Sequence, residues 1–232
     1  MADLKIPITK NDKRDYIPAL GFHRLTPLYD AVVRVLLNES RFKKLMVTEA
    51  ALQPGHRVLD LGCGTGTLTL MLKQSCPKAH VFGLDIDEAV LAIGRKKAAT
   101  EDTEITFCQG RVHEPPQIPE LAKQSFDCIV SSLVFHHLTS DRKRQTLGKA
   151  LELLKPGGRF IIADWGKAES IIMRAAFLIV QLTDGFSTTS DHVKGLLPQM
   201  IEQSGFINVD EFHRQNTATG TISCYRSVKQ VS

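Results

Sequence analysis

The sequence predicts an α/β protein. It should form one mostly parallel, doubly wound sheet with helices on both faces, an antiparallel last strand and a small N-terminal helical cap. Three observations predict this. Apolar, strand-like runs alternate five times with stretches of helical periodicity. A glycine-rich turn joins the first of those runs to a helix. The last two strand-like runs lie only about eight residues apart, too close for a helical crossover, so the final strand should turn back on its neighbour.

The bulk composition agrees. The 232 residues are enough for one such domain with a sizeable core. A content of 43% hydrophobic and 23% charged residues is an ordinary soluble balance. The net charge of +4 is small and evenly spread, which is no argument for a nucleic-acid partner. The five cysteines, Cys63, Cys76, Cys108, Cys128 and Cys224, form no CxxC pair and read as buried, reduced thiols. The first residues lack the apolar core of a signal peptide. The longest apolar stretch, Ile171 to Leu182, is interrupted by Arg174 and falls short of the roughly 20 residues a spanning helix needs. These features point to a cytoplasmic protein without membrane insertion.

In chain order, residues 1 to about 25 are polar and broken by Pro7 and Pro18. With the two short amphipathic helices that follow, meeting near Asn38 to Ser40 with Ser40 as an N-cap, they make a cap over residues 1–50. "RVLDL" is the first strand, followed by the glycine turn and a helix to about Gln74. "HVFGLD" and "DEAVLAIGRKKAA" are the second strand and helix, and "ITFCQG" is the third strand. "HEPPQIPE" is a proline-rich loop. "FDCIVSSL" is the fourth strand. "RKRQTLGKALELL" is a helix with Leu147, Leu151 and Leu154 on one face. "KPGGRFIIADW" is a turn and the fifth strand. Helices at about 168–182 and 191–203 follow, and "INVDEF" and "TISCYR" are the closing strands.

The chemistry should sit where the strand order reverses, at the carboxyl ends of the strands. Gly62, Gly64 and Gly66 follow the first strand directly. They permit positive φ and let backbone N–H groups approach a ligand. Asp85 ends the second strand, where a carboxylate accepts hydrogen bonds from ribose hydroxyls. A nicotinamide dinucleotide and S-adenosylmethionine both suit this geometry. The dinucleotide fingerprint is G-x-G-x-x-G, whereas here the spacing is G-x-G-x-G. Asp60 lies two residues before the first glycine. It would repel a pyrophosphate but attract the ammonium group of a methionine tail.

"VLDLGCGTG", the acid of "GLDID", "FDCIVSSLVFHHL" and "LKPGGRFIIADW" together resemble the ordered motifs of class I S-adenosylmethionine-dependent methyltransferases. The resemblance covers about residues 55–226. Within that superfamily the chain is similar to the ubiquinone/menaquinone-biosynthesis-like small-molecule enzymes, whose ending resembles "TATGTISCYRSVK". It implies a seven-stranded Rossmann-like sheet with an antiparallel last strand, over residues 51–232, with a helical lid inserted at about 166–200. It implies S-adenosyl-L-methionine as cofactor and S-adenosyl-L-homocysteine as product. Asp60, Gly62, Cys63, Gly64 and Gly66 would surround the methionine part. Asp85 would bind ribose, Ile86 would lie against adenine, and Gly110, Arg111 and Val112 along its edge. Ser131 and Ser132 would flank the sulfonium, and Tyr29 resembles a cap tyrosine that touches the cofactor. Arg111 departs from the pattern, since relatives usually carry an acid there.

Methyl transfer needs donor and acceptor held in line in a dry site, with a base only where the acceptor must lose a proton. His136 and His137 follow the fourth strand. Either reaches the acceptor as a base or orienting group, or one caps backbone and the other faces solvent. No acid lies near them at ligand spacing in the sequence, so no metal site is expected. Asp164 ends the fifth strand and either orients a substrate hydroxyl or stabilises the turn. Tyr29 could equally pack a cap onto the core, and His23 is a weaker candidate. Ile171, Ala175, Leu178 and Leu182 form one apolar face, flanked by Ile172 and Ile179. That face is either a lid over an apolar or aromatic small-molecule acceptor or a helix packed on the sheet.

The competing functions are weaker. Amino-directed nucleic-acid methyltransferases show an Asn or Asp, two prolines and an aromatic after the fourth strand, where this chain has "SSLVF". No cysteine stands in the loop context that carbon-5 enzymes need, and no basic stripe interleaves with aromatics. A non-catalytic S-adenosylmethionine-binding scaffold stays open, as does a homodimer.

Overall fold

The computed structural model describes residues 39–231. The expected sites Tyr29 and His23, and the first 38 residues of the expected cap, lie outside the described residues. The seven strands form one sheet in the order β3-β2-β1-β4-β5-β7-β6. They are β1 (Arg57–Leu61), β2 (His80–Asp85), β3 (Thr106–Gln109), β4 (Phe126–Ser132), β5 (Leu154–Trp165), β6 (Phe206–Thr217) and β7 (Gly220–Lys229). The first five pair parallel, and β7 runs antiparallel to both β5 and β6. The order reverses between β1 and β4.

Strand side chains alternate between two cores. Leu59 and Leu61 of β1 join Phe82, Leu84, Ile129, Phe160 and Ile162 on one face. Val58 joins Val81, Cys128, Val130, Ile161 and Ala163 on the other. Helices α1 (Glu39–Ala50), α2 (Thr67–Ser75), α3 (Glu88–Thr100) and α4 (Ser140–Leu153) interleave with the strands. Helix α1 buries Phe42, Met46 and Ala50 in the second core. This part of the expected cap is therefore a layer of the domain, with Ser40 inside the helix rather than capping it. Asp87 caps α3 by accepting from the Ala89 N–H at 2.8 Å, a contact of the kind worth about 1 kcal/mol.

Several boundaries differ from the sequence expectation. Leu154 continues the apolar stripe of α4 by spacing, yet it is the first residue of β5, which absorbs the "KPGG" turn through a register shift against β4. Two expected helices after β5 are three: α5 (Ile171–Asp184), α6 (Phe186–Lys194) and α7 (Leu197–Gln203). Gly185, with φ of 95°, breaks the first from the second. The closing strands are longer than expected and meet in a tight hairpin, Thr217 opposite Gly220. The proline-rich loop holds one short 3₁₀ turn, Pro119–Leu121. All five cysteines are buried and unpaired.

Helix α5 corrects the expected facing of its apolar stripe. Its buried residues are Phe177, Val180 and Gln181. Ile171, Ile172, Leu178, Ile179 and Leu182 are exposed among the described residues. Phe177 packs on Trp165 at 5.3 Å between ring centroids, and that contact rather than the longer stripe orients the helix.

Candidate active site

The glycine turn is built by backbone conformation. Gly62, Gly64 and Gly66 have φ of 73°, 53° and 74°, the left-handed region that side chains disfavour. The Gly62 and Cys63 N–H groups both donate to the Leu84 carbonyl, at 2.8 and 3.0 Å, tying the turn to the end of β2. A Cβ at Gly62 would meet Val134 Cγ2 at 2.4 Å, so the loop after β4 lies directly on the turn. Above Gly64 a Cβ would meet nothing within 4 Å, leaving that side open.

Two carboxylates flank the turn. Asp60 is buried, and its Oδ2 accepts from the Thr69 hydroxyl at 2.7 Å. Its Oδ1 has no hydrogen-bond partner. Burial pushes its pKa up to about 6, partly opposed by the Thr69 bond and the Lys43 charge. Thr69 carries no signal in the sequence beyond being a polar residue between the buried Leu68 and Leu70. Asp85 accepts from the Gly64 N–H at 2.8 Å and the Asp87 N–H at 2.9 Å. Burial raises its pKa, opposed by those two bonds and by the Ile86 N–H. With these donors in place the carboxylate still keeps at least one lone pair free.

The expected adenine side follows β2 and β3. The Ile86 carbonyl accepts from the Gln109 amide at 3.2 Å. The Gly110 N–H donates to the Asp85 carbonyl at 2.8 Å, and its Cα lies too close to Pro116 for a side chain. Arg111 bridges Glu114 through the backbone, and Val112 is buried in the first core. At the end of β4 the two serines diverge. The Ser131 hydroxyl donates to the Leu61 carbonyl at 2.9 Å, bracing β1. The Ser132 hydroxyl is buried without a partner.

Beyond Ser132 the chain turns sharply. Leu133 has φ of 58°, a strained value for a leucine, and the 3₁₀ turn Phe135–His137 follows. Asp164 holds this turn. Its Oδ2 accepts from the N–H groups of Val134 and Phe135, at 3.0 and 2.7 Å. Its Oδ1 accepts from the Trp165 N–H at 2.7 Å and from His136 Nδ1 at 2.8 Å. Four donors occupy a fully buried carboxylate. Burial alone would raise its pKa, but the His136 and His192 rings and these bonds hold it well below the usual range. Asp164 thus stays ionised, fixes His136 with its proton on Nδ1, and has no lone pair left for an acceptor.

His136 is buried, and His137 is about a third exposed at 36%. Their rings lie 3.9 Å apart. Burial disfavours a charge on His136, yet Asp164 and Asp184 raise its pKa overall. Burial and the His136 neighbour push that of His137 down. The structure supplies an acid that the sequence around the pair lacks: Asp184, from the end of α5, lies 3.6 Å from His136 Nε2 and 3.9 Å from His137 Nδ1. His192 was also missed; its Nδ1 lies 2.7 Å from the Trp165 carbonyl.

The arrangement fits a charged nucleoside donor. An orphaned buried carboxylate oxygen on Asp60, the open side of Gly64 and the Asp85 carboxylate all lie at the carboxyl ends of β1 and β2, beside the strand-order reversal. Fold and turn together define an α/β protein that binds S-adenosylmethionine. A family described as "Methyltransferase domain" matches residues 52–217, and the chain belongs to it as a class I S-adenosylmethionine-dependent methyltransferase.

The chain is 30% identical over 178 residues to a demethylmenaquinone methyltransferase of Symbiobacterium thermophilum, covering 75% of this chain and 68% of the relative. It is 25% identical over 243 residues to a ubiquinone/menaquinone biosynthesis C-methyltransferase of Vibrio cholerae, covering 95% and 90%. Solved structures share the fold. The YcgJ protein of Bacillus subtilis superposes with a TM-score of 0.65 at 17% identity, covering 82% of this chain and 98% of that one. A Haemonchus contortus phosphoethanolamine N-methyltransferase in complex with S-adenosylhomocysteine superposes with a TM-score of 0.66 at 14% identity, covering 82% and 52%. Among the described residues no helix is long and apolar enough to cross a membrane.

Proposed function

We propose that this enzyme methylates a ring carbon of a small, apolar aromatic acceptor of the quinol class, by in-line displacement. The names of its relatives, a demethylmenaquinone methyltransferase and a ubiquinone/menaquinone C-methyltransferase, support the acceptor class. The observation that carries the reading is the His136 ring, fixed on Asp164 through Nδ1. Its Nε2 stays available beside the edge of Trp165, which packs on Phe177.

On the donor side, Asp60 Oδ1 takes the ammonium group, while Gly62, Cys63, Gly64 and Gly66 line the methionine chain. Asp85 takes the ribose hydroxyls through its remaining acceptor capacity. Ile86 and the backbone of Gly110, Arg111 and Val112 lie along adenine. The Ser132 hydroxyl faces the reacting end, and Ser131 acts indirectly by bracing β1. When bound, S-adenosylmethionine supplies an electrophilic methyl group on a sulfonium.

On the acceptor side, His136 Nε2 removes the proton of a ring hydroxyl, which makes the neighbouring ring carbon nucleophilic. Asp164 is a positioning residue for that ring, and His137 lies beside it at the open side. Helices α5 to α7 form the lid, with Phe177 as its inner wall.

Methyl-labelled donor incubated with demethylated quinols, phenols and amines tests this. The expected product is a C-methylated quinol identified by mass spectrometry. His136→Gln should lower turnover while leaving S-adenosylhomocysteine affinity nearly unchanged. Methylated amines with inert quinols would overturn the acceptor class.

A further inference from the structure

Proton removal needs one nitrogen of the His136 ring. The structure gathers two more donor groups around that nitrogen. Asp184 Oδ2 lies 3.6 Å from His136 Nε2, and Asp184 Oδ1 lies 3.9 Å from His137 Nδ1. One ligand atom from each of the three residues lies within 4.8 Å of the others. These separations are too long for hydrogen bonds. They are close to the spacing of donors around a metal, since two ligands about 2.1 Å from a tetrahedral ion sit about 3.4 Å apart. Contractions of between a few tenths of an ångström and about 1.4 Å close the set.

Two further features fit a cation. Asp164 holds the Nδ1 proton of His136 at 2.8 Å, the carboxylate–imidazole contact that orients metal-binding histidines and leaves Nε2 as the ligand. His137 is partly exposed, which gives an ion a way in. Two imidazoles and one carboxylate suit a borderline divalent ion, with a fourth position left open.

We propose that His136, His137 and Asp184 bind a divalent transition-metal ion of the zinc class, and that the bound ion inhibits methyl transfer by occupying the His136 lone pair. The binding site stands on the ligand geometry alone. The inhibition rests on the acceptor-side role of His136 proposed above.

Equilibrium dialysis of the full chain against Zn2+ alone tests the site. The expected result is one ion per chain, with affinity at least about tenfold weaker in Asp184→Asn and in His137→Gln, since loss of a mere supporting partner already costs that much. Retained S-adenosylhomocysteine binding checks that each variant is folded, and His137→Gln, at a partly exposed position, stands in if Asp184→Asn fails to fold. With Co2+ as a second probe, visible absorption of a tetrahedral ion should appear in the native chain and fade in both variants. No binding, or binding that neither variant weakens, overturns the site. Methyl transfer assayed with and without Zn2+ tests the inhibition. Loss of activity in the native chain with resistance in His137→Gln supports it, and full activity of the zinc-bound native chain overturns it while leaving the dialysis result standing.

Discussion

The two ends of the proposed active site are built by different means. The donor end is made of short, contiguous stretches: Asp60 to Gly66, running out of the end of β1, and Asp85 to Asp87, running out of the end of β2. Its key contacts run from backbone N–H groups to neighbouring oxygens, as when Gly64 donates to Asp85. The acceptor end is assembled from four distant places. His136 and His137 come from the turn after β4, Asp164 and Trp165 from β5, Asp184 from α5 and His192 from α6. The proposed donor end rests on local backbone geometry. An acceptor site depends on side chains that only the folded chain brings together.

The sharpest way to break this contrast is at Asp164. Asp164→Ala strands the N–H groups of Val134, Phe135 and Trp165 and frees the His136 ring. We expect a loss of about 3–5 kcal/mol in chemical denaturation, as for other broken buried charge networks, and near-complete loss of turnover. A loss below 1 kcal/mol would show that the turn holds itself.

Gly62→Ala probes where the two ends touch. A Cβ there meets Val134 at 2.4 Å in a left-handed backbone. The expected cost is about 2–4 kcal/mol from overpacking and backbone strain together, seen as a lowered melting temperature, with weaker S-adenosylhomocysteine binding.

Asp60 and Asp85 probe the donor end alone. Asp85→Ala should weaken cofactor binding at least tenfold, from lost charge-assisted bonds worth about 1.5–3 kcal/mol, as read by calorimetry. For Asp60 the sign with pH is definite. Its folded pKa, about 6, lies above the ordinary carboxylate value of about 4. The folded chain therefore holds that proton more tightly, and this group's contribution to stability falls as pH rises from about 4 to 6. Ammonium pairing needs the ionised form, so cofactor affinity should fall as pH drops through about 6. Asp60→Asn should bind weakly at all pH values, and an unchanged pH profile in that variant would remove Asp60 from the ammonium site.

The smallest effect should come from the outer face of α5. Ile179, 57% exposed, changed to Ser should shift stability by no more than about 0.5 kcal/mol. A larger loss would mean that this face is covered in the whole chain.

The same contrast explains what could be read before the structure. The sheet, its antiparallel ending and the donor turn follow from alternation, glycine spacing and Asp85, all local signals. The facing of α5 did not, because Phe177 and Trp165 decide it across the fold. Leu154 fitted the periodicity of α4, yet strand pairing with Phe126 claims it. Asp164 was legible as a strand end, but its four donors were not, since three of them lie about thirty residues earlier. Asp184 had no sequence signal linking it to the histidines.

The close approach of Val134 to Gly62 makes Asp164 a shared anchor. One carboxylate clamps the amide of Val134, and the methyl groups of that residue rest on the donor turn. The same clamp steers the imidazole. One anion in β5 thus seats both the residue that backs the glycine turn and the imidazole, each about thirty residues of chain away from it, so a single substitution there disturbs both seats at once.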